Sequence, residues 1–593
     1  MDSQHVSYYE FGSYRLFPHE RLLLREGQTV SLRPKVFETL LVLVQHRGRL
    51  LSKDALMNLV WRGSIVEEGN LTQNIFLLRK IFGESPFDHQ YIVTIPGEGY
   101  RFVADVREVL NETSDVNVAA AQAHHPVGAQ DKLRSIAVLP LKTLNGEGVD
   151  EHLGAGIADA LITKLSYVKG IVVRPTTAVL KYKDASQNPL AAGRELRVDA
   201  VLDGTVQRAD DRIRVNVQLL KIGDDTILWA DKFDETFTNI FAVQDSISEQ
   251  VAQVLSQRLS REELTQLRKS PTENVEAYQL YIKGRYFWEK RTEQGIKKGI
   301  QFAEQIIGID PTFVSAYVGL ADSYSFLGEY LHLDPNKAFP KAKEAALKAL
   351  EIDATLAEPH AALAETLLFH DWDWDGAERE YRQAIELNPN YASAQHFYTW
   401  LLMMQGRFDE AQFRIEQAQK IDPGSLTLNT AVGLPAYFSR DYDRAIKQFR
   451  QTLDLDPDYI HAHYYLGAAL THKGMYREAI AEFEAHRRLW VDDYVQQARA
   501  LLGYTYAVQD NRSAALNVLN ELREQQNRRY ISPYCTAIVY AGLGESEQAL
   551  AELERALRER AAWMVFIKSD PWFDTLRSDP RFADLVRHIG LAP

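Results

Sequence analysis

The segment 70–102 carries side chains whose types and spacing suit contact with DNA. The amides of Gln73 and Asn74 can pair in a bidentate manner with adenine, and apolar side chains beside them can contact thymine methyl groups. Both kinds of contact read base edges in a major groove. The predicted base-reading residues are Thr72, Gln73, Asn74, Phe76 and Leu77.

A second set of residues in this segment suits the DNA backbone. Lysine and arginine neutralise phosphates, and a threonine hydroxyl can donate a hydrogen bond to a phosphate oxygen. The predicted phosphate contacts are Arg79, Lys80, Thr94 and Arg101. We expect these groups to fix the orientation of the protein, while the first set provides sequence preference.

The elements that must position these side chains are a helix and a β-ribbon. Leu71, Ile75, Leu78 and Phe82 follow helical spacing and predict a core face for a helix over 70–82. Gln73, Phe76, Leu77 and Lys80 then point outward, with Thr72, Asn74 and Arg79 on the flanks. An outward Phe76–Leu77 pair is an exposed apolar patch unless it meets DNA or packs on a neighbouring domain.

The ribbon is predicted from two short strands, 91–95 and 100–103, around P-G-E-G. The residues before it predict short strands at 8–14, 22–25 and 29–32, a helix over 34–45, and a second helix capped by Ser52. A helix beside a ribbon is the geometry of a winged helix. The predicted first domain, an α+β winged helix, spans residues 1–106.

Composition and charge limit the class of protein. The chain has 593 residues, 46% of them hydrophobic and 25% charged, which predicts several globular domains. The net charge is −14, but residues 1–107 hold 13 Lys/Arg and 12 Asp/Glu, so DNA binding is confined to the first domain. No apolar run is long enough to span a membrane. The single cysteine, Cys535, fits a reducing compartment, and we predict a cytoplasmic protein.

Two further regions follow the first domain. Residues 107–132 lose hydrophobic periodicity and predict a linker. Residues 133–262 alternate short apolar strands with helices and predict a small α/β domain.

The last region, 270–593, contains an internal repeat. Small residues recur at intervals of 34 to 35 residues after the first interval of 43, and Asp-Pro or Asn-Pro turns follow many of them. The repeated small residues are Gly299, Ala342, Ala377, Ala411, Ala445, Ala479, Ala514 and Ala549. This period is typical of tetratricopeptide repeats, and it predicts an all-α solenoid of about eight units with a concave face for a protein or peptide.

The first domain resembles the OmpR/PhoB-type winged helix, through L-R-P-K-V-F-E-T-L-L-V-L-V-Q-H-R-G, L-S-K-D-A-L, L-R-K and G-Y-R-F. This resemblance implies that the recognition positions are Asn74, Phe76, Leu77 and Arg79, and that the wing contacts are Thr94 and Arg101. The best-known members carry arginines at the positions of Phe76 and Leu77. The absence of these arginines favours recognition of A·T-rich sequence or of DNA shape over recognition of guanine. The resemblance also implies that the loop 61–69 contacts RNA polymerase.

The domain order is similar to that of CadC/HilA-like regulators, in which the DNA-binding domain leads. The middle region resembles the TolB-N/FlgO-like α/β domain, through S-I-A-V-L-P, G-A-G-I-A-D-A-L-I-T-K-L, V-D-A-V-L-D-G-T-V-Q-R and L-W-A-D-K-F-D. The resemblance implies a bacterial transcriptional regulator that receives a signal or a protein partner through its body.

Other chemistry has little support in the sequence. The segment 371–376, D-W-D-W-D-G, imitates half of a calcium loop but has Arg382 where the bidentate glutamate belongs. His124 and His125 lack further metal ligands, and Gly154–Gly156 lacks the spacing of a phosphate loop. We therefore predict no metal, no cofactor and no enzymatic activity.

The predicted function is a DNA-binding transcriptional regulator whose winged helix binds double-stranded promoter DNA. Because a single module of this size binds weakly, tandem or dimeric binding on paired sites is expected. The alternative is a protein-interaction scaffold in which the winged helix no longer binds DNA. An enzyme built on the α/β domain is the remaining rival.

Overall fold

The computed structural model describes residues 6–18, 22–25, 28–30, 32, 34–60, 68–82, 84, 90–95, 98–110, 133–144, 153–183, 188–256, 259–269, 272–288, 292–330, 333–489 and 496–592. The chain divides into two compact units, Met1–Ala129 and Gln130–Pro593. The predicted contacts at 61–67, most of the predicted linker and the histidine pair at 124–125 lie outside the described residues.

The first unit is a winged helix, as predicted. Its elements are β1 (Val6–Phe11), β2 (Tyr14–Phe17), β3 (Leu22–Arg25), β4 (Gln28–Val30), α1 (Pro34–Gln45), β5 (Leu50–Ser52), α2 (Lys53–Val60), α3 (Glu68–Phe82), β6 (Ile92–Ile95), β7 (Gly99–Phe102) and β8 (Arg107–Leu110). One antiparallel sheet has the order β4-β3-β2-β1-β8, and a smaller sheet has the order β5-β7-β6. The Ser52 hydroxyl accepts from Ala55 N at 3.2 Å, so it caps α2 as expected.

Several elements differ from the prediction. A turn at residues 12–13 divides the predicted strand 8–14 into β1 and β2, and β5 was not predicted. Helix α3 begins at Glu68 rather than at residue 70, and Arg107–Leu110 forms a strand rather than the start of a linker. Strand β8 pairs with β1, with Glu10 opposite Arg107. The R-E-V-L segment is too short to show an alternating pattern of apolar and polar residues. The strand that pairs with it lies about 100 residues earlier, so the local sequence did not predict the pairing.

The second unit begins with an α/β domain. Its elements are β9 (Ser135–Val138), β10 (Lys142–Leu144), α4 (Leu153–Ser166), β11 (Val172–Val173), α5 (Thr176–Val179), α6 (Pro189–Glu195), β12 (Ala200–Ala209), β13 (Arg212–Lys221), β14 (Thr226–Thr236), α7 (Ile240–Leu255) and α8 (Arg261–Leu267). The sheet order is β11-β9-β12-β13-β14, with β10 also pairing with β12. Strands β9, β11 and the start of β12 run parallel, whereas β12, β13 and β14 form an antiparallel meander.

The rest of the second unit is a helical solenoid. Its helices are α9 (Val275–Trp288), α10 (Glu293–Ile309), α11 (Val314–Glu329), α12 (Pro335–Ile352), α13 (Ala357–Thr366), α14 (Trp374–Leu387), α15 (Ala392–Met404), α16 (Phe408–Ile421), α17 (Leu426–Ala431), α18 (Leu434–Phe438), α19 (Tyr442–Leu455), α20 (Ile460–His472), α21 (Tyr476–Leu489), α22 (Gln496–Val508), α23 (Arg512–Gln525), α24 (Pro533–Gly542), α25 (Ser546–Arg558) and α26 (Pro580–His588). Eight successive antiparallel helix pairs precede the C-terminal turns and α26, in agreement with the predicted repeats.

The small residues of the repeat lie where the paired helices cross. Ala377, Ala411, Ala445 and Ala479 are fully buried. The prediction is wrong by one residue in the seventh unit, where Ala515 is fully buried and Ala514 is only half-buried. The helix there is capped by Asn511, and Ala515 follows this cap by four residues, as Ala445 follows Asp441.

The calcium-like segment 371–376 spans the connection between two helices and the first turn of α14, at the place where the repeat predicts an inter-helix turn. Asp373 caps α14 by accepting from Gly376 N at 2.9 Å, and the Asp371 carboxylate pairs with Lys343 at 2.5 Å. Two of its carboxylates thus have structural partners. In the described part of the chain, no cluster of three or more histidine, cysteine or acidic side chains is arranged to hold a metal.

The α/β domain docks on the turns of the solenoid. Arg174, which is buried, donates to the carbonyls of Lys420 (2.8 Å) and Ile421 (2.6 Å) at the end of α16. Asn390 donates to the carbonyls of Ser166 and Ile171, both at 2.8 Å. Residues at the turns of the repeats therefore form hydrogen bonds with buried polar groups of the α/β domain.

The C-terminal segment 559–589 crosses back to the second and third helix pairs. Trp563 Nε1 donates to the Glu329 carbonyl at 3.0 Å, and Arg560 Nη1 donates to the His370 carbonyl at 2.7 Å. Trp374 Nε1 donates to the Ile589 carbonyl at 2.5 Å. These contacts close the solenoid into a ring around a central chamber. None of the helices described is both long and apolar enough to cross a membrane.

Candidate nucleic-acid interface

The core face of α3 forms as its spacing predicts. Leu71, Ile75, Leu78 and Phe82 are buried, with exposures between 0% and 7%. Phe82 packs edge-on against Phe11, with ring centroids 6.0 Å apart. The helix is therefore held by one apolar stripe, and its opposite face can be available to DNA.

Asn74 does not lie on the predicted DNA-reading surface. Its side chain is 8% exposed, and its Nδ2 donates to the Lys35 carbonyl (3.1 Å) and to Thr39 Oγ1 (3.0 Å). Thr39 Oγ1 in turn donates to the Lys35 carbonyl at 2.6 Å. The assignment of Asn74 to base readout is corrected accordingly, because α1 covers this flank of α3 and uses the amide as an internal link.

Arg79 and Thr94 contact each other rather than standing apart as two phosphate anchors. Arg79 Nη2 donates to Thr94 Oγ1 and to the Ile92 carbonyl, both at 2.8 Å. Its Nε lies 3.7 Å from the buried carboxylate of Glu84, which also accepts from Ile92 N at 3.1 Å. The side chain of Arg79 is 22% exposed. This set of contacts, the helix–wing brace, fixes the end of α3 against β6.

Arg101 lies on β7, the central strand of the small sheet, opposite Leu50 of β5 and Val93 of β6. It is half-buried, and its Nε is buried with no hydrogen bond to the described residues. Gly99, two residues earlier, has φ +156, and a Cβ there would lie 2.0 Å from the Leu51 carbonyl oxygen. A glycine is thus required for β7 to approach β5 closely enough to present Arg101.

The other predicted contacts divide into two groups. Thr72 is exposed on α3, and Leu77 is half-buried with part of its side chain against the core. The backbone at Gln73, Phe76 and Lys80 is helical, but their side chains lie outside what the structure describes. Thr72, Leu77 and Arg101 thus remain predicted DNA contacts, and the structure describes their side chains.

Sequence reasoning missed the residues that support this surface. Thr39 and Glu84 hold α3 through Asn74 and Arg79, and each becomes visible only when distant elements pack. Arg49 is an exposed cation directly before β5, on the edge of the small sheet that also carries Arg101. The R-G-R spacing of residues 47–49 was an available signal for this cation.

Comparison with known families agrees with this geometry. Residues 27–102 match the model described as "Transcriptional regulatory protein, C terminal". The chain carries an OmpR/PhoB-type DNA-binding domain. Residues 131–250 match "HilA/YgeH-like transcriptional regulator, second domain", and residues 368–428 and 433–493 match tetratricopeptide repeats.

One relative aligns with this chain over nearly its whole length, and two others align with part of it. The chain is 24% identical over 573 residues, 95% of each protein, to "Transcriptional regulator HilA" of Salmonella typhi. It is 34% identical over 96 residues to "Transcriptional activator CadC" of Escherichia coli (strain K12), covering 16% of this chain and 19% of that protein. A 235-residue match, 28% identical, links it to "Putative adenylate cyclase 3" of Rhizobium meliloti and covers 39% of this chain and 40% of that protein. The domains and relatives are those of a DNA-binding transcriptional regulator.

Proposed function

We propose that the chain regulates transcription by binding promoter DNA in the cytoplasm through its winged helix and a signal or protein partner through its second unit. The OmpR/PhoB-type domain at residues 27–102 carries this proposal. The tetratricopeptide repeats support a protein partner. Catalysis has no part in the proposed mechanism.

The proposed DNA-facing surface excludes three of the residues that the sequence predicted. Thr72 and Leu77 contact base edges together with Gln73 and Phe76, while Lys80, Arg101 and Arg49 contact phosphates. Asn74, Arg79 and Thr94 hold the helix and the wing in place. Because few amides and no guanine-reading arginine are available on α3, A·T content and groove shape provide most of the preference.

Two finer parts of the proposal concern assembly on DNA. A single winged helix buries little DNA surface, so two copies bind paired sites. The loop preceding α3 contacts RNA polymerase, as in the family it resembles. Activation then depends on where the paired sites lie relative to the promoter.

The decisive experiment measures binding of the full chain to random and genomic DNA by fluorescence anisotropy. We expect Arg101→Ala to weaken binding at least about tenfold on all sequences, since it removes a phosphate contact. Arg15→Ala is the matched control, because Arg15 is an exposed cation on the five-stranded sheet, where it pairs with Glu10 at 2.9 Å. Failure of the wild-type chain to bind any DNA would support the scaffold alternative.

A further inference from the structure

The helices of the second unit line a partly open chamber of about 2120 Å³. One wall comes from the α/β domain, a second from the first helices of successive repeats, and a third from the C-terminal segment that carries Trp563 and Phe566. Ligand pockets are usually about 300–1,000 Å³, so this volume exceeds what one small molecule fills. A ligand would occupy one part of the chamber, and its chemistry must be inferred from the lining.

Four aromatic side chains from separate helical segments meet in the lining, and they are called here the aromatic cluster: Trp400, Phe438, Tyr465 and Phe566. The Trp400 ring centroid lies 6.2 Å from that of Phe438, 6.5 Å from Tyr465 and 5.4 Å from Phe566. Phe438 and Phe566 stack at 5.8 Å. Since Phe566 comes from the C-terminal segment, this cluster exists only when the ring is closed.

The charged lining of the chamber is predominantly acidic. Its described residues include 12 Asp/Glu and 6 Lys/Arg. Several of the cations are already paired, for example Lys164 with Asp245 at 2.7 Å and Arg268 with Glu249 at 2.5 Å. Such a lining attracts positive ligands and disfavours anions.

An acidic residue also lies beside the aromatic cluster. The Glu329 carbonyl accepts a hydrogen bond from Trp563, whose ring centroid lies 5.6 Å from that of Phe566, and Glu329 lines the chamber. Glu365 is 8% exposed and also lines the chamber. Aromatic faces and carboxylates together are the groups that bind an ammonium ion in proteins.

An independent observation at the same end of the chamber is the hydroxyl group of Tyr437. Tyr437 lines the chamber and is 2% exposed, and its hydroxyl makes no hydrogen bond to any described residue. Its ring lies 5.1 Å from that of Phe438 in the aromatic cluster. Since buried hydroxyl groups are normally hydrogen-bonded, this one is suited to a polar group of a ligand.

We propose that the chamber binds a small organic cation, with its ammonium group against the aromatic cluster and close to the carboxylate of Glu329. The Tyr437 hydroxyl takes a hydrogen bond with a polar substituent of the same ligand. A small ligand suits the site better than an extended peptide, because the α/β domain and the C-terminal segment both narrow the concave face. The site is separate from DNA binding and does not depend on it.

The test uses the full chain and two cations, choline and n-butylammonium. Each is paired with a neutral counterpart of similar shape, 3,3-dimethylbutan-1-ol or butan-1-ol. Binding is followed by isothermal titration calorimetry and by tryptophan fluorescence. We expect at least one cation to bind about tenfold more tightly than its neutral counterpart, because only the charged ligand gains from the aromatic faces and carboxylates. Equal binding within both pairs, or no binding of either cation, would overturn the proposal.

Variants locate the site within the chamber. Trp400→Leu and Glu329→Gln should each weaken binding of the preferred cation at least about fivefold. Glu351→Gln is the matched control, because Glu351 is an exposed acid on α12 that pairs with Lys348 at 2.8 Å. If Trp400→Leu disturbs folding, Tyr437→Phe removes only the hydroxyl and should lower affinity for choline but not for n-butylammonium. Binding that none of these variants changes would place the cation elsewhere and refute the site.

Discussion

At the scale of single residues, the polar side chains of the first unit divide into those that hold α3 against its neighbours and those that face solvent. Asn74 and Thr72 are two positions apart on α3, yet Asn74 is buried against α1 and Thr72 is exposed. Residue type alone does not distinguish them, since both could hydrogen-bond to a base. Their different surroundings predict opposite effects of mutation.

We expect Asn74→Ala to lower the free energy of unfolding of the first unit by about 1–2 kcal/mol, because two hydrogen bonds between α3 and α1 are lost. Urea denaturation of the full chain, monitored by circular dichroism, measures this change. Thr72→Ala is the matched variant and should change stability by less than about 0.5 kcal/mol. In competition binding, Thr72→Ala should alter sequence preference, whereas Asn74→Ala should leave it unchanged. The reverse pattern would restore Asn74 to the reading surface.

A second residue-scale prediction concerns pH. The His472 ring lies beside that of Trp572, with ring centroids 4.3 Å apart, and burial lowers the pKa of His472 to about 3. The unfolded chain binds a proton at His472 below its ordinary pKa of about 6.5, and the folded chain does not. The stability that neutral His472 contributes is therefore complete above pH 6.5 and is lost as the pH decreases toward 3.

The expected loss from His472 alone is about 3 kcal/mol at about pH 4.5. His472→Phe keeps an aromatic ring and removes the titrating group, so the unfolding free energy of the second unit should decrease less between pH 6.5 and 4.5. His588→Gln is the control, since His588 is exposed near the C-terminus. Parallel pH profiles for the wild type and His472→Phe would contradict this assignment.

At the scale of elements, the helix–wing brace connects α3 to β6 through Arg79, Thr94 and Glu84. A winged helix binds two grooves with two elements, so their relative position determines whether both can bind at once. The brace provides this rigidity with an ion pair and hydrogen bonds that also satisfy the Ile92 backbone.

Arg79→Ala should therefore weaken DNA binding without changing how binding depends on salt. The slope of log K against log [salt] reports the number of phosphates that cations neutralise. We expect Arg101→Ala to reduce the magnitude of this slope by about 1, whereas Arg79→Ala should reduce affinity with the slope preserved. An Arg79→Ala slope reduced as much as that of Arg101→Ala would show that Arg79 contacts phosphate after all.

The repeat register gives a second element-scale prediction. Ala515 is fully buried where α22 and α23 cross, and Ala514 is half-buried. Ala515→Leu should lower the free energy of unfolding by about 1–3 kcal/mol, because added methyl groups overpack the crossing. Ala514→Leu should change it by less than about 1 kcal/mol. Thermal denaturation of the two variants measures the difference, and equal effects would contradict the register.

At the scale of the whole molecule, the second unit behaves as one body because the α/β domain and the solenoid share buried polar contacts. Arg174 contacts both parts: it donates to the Leu196 and Arg197 carbonyls and to those of Lys420 and Ile421. Burial lowers the pKa of Arg174, and the negative charge of nearby Asp422 opposes that effect. This contact joins the solenoid to the α/β domain.

We expect Arg174→Ala to separate the two parts, because four carbonyl groups lose their donor and the Asp422 carboxylate loses its cation. Limited proteolysis should then cleave between residues 256 and 275 faster than in the wild type. Arg194→Ala is the control, since Arg194 forms an exposed pair with Asp225 at 2.6 Å. Unchanged cleavage in Arg174→Ala would show that other contacts are sufficient to hold the domains together.

Sequence periodicity predicted the features that depend only on residues close together in the sequence. The buried stripe of α3 from Leu71 to Phe82 and the crossing residues Ala411 and Ala445 follow from helical spacing alone. Asn74 was assigned wrongly because a helical wheel does not show that α1 covers its flank. The Arg79–Thr94 contact and the docking of Arg174 join residues that only the tertiary fold brings together. Ring closure was not predicted for the same reason.

The crossing of the C-terminal segment to the second and third helix pairs has a consequence for biosynthesis. Glu329 and Trp563 are separated by 234 residues, and their contact cannot form until Trp563 has left the ribosome. Until then the growing solenoid is open, and Trp400 and Phe438 lack the cover that Phe566 provides. A message that breaks before the codon for Trp563 would thus yield a protein that has the DNA-binding domain but lacks this cover. Its exposed aromatic side chains would make it a substrate for chaperones and proteases.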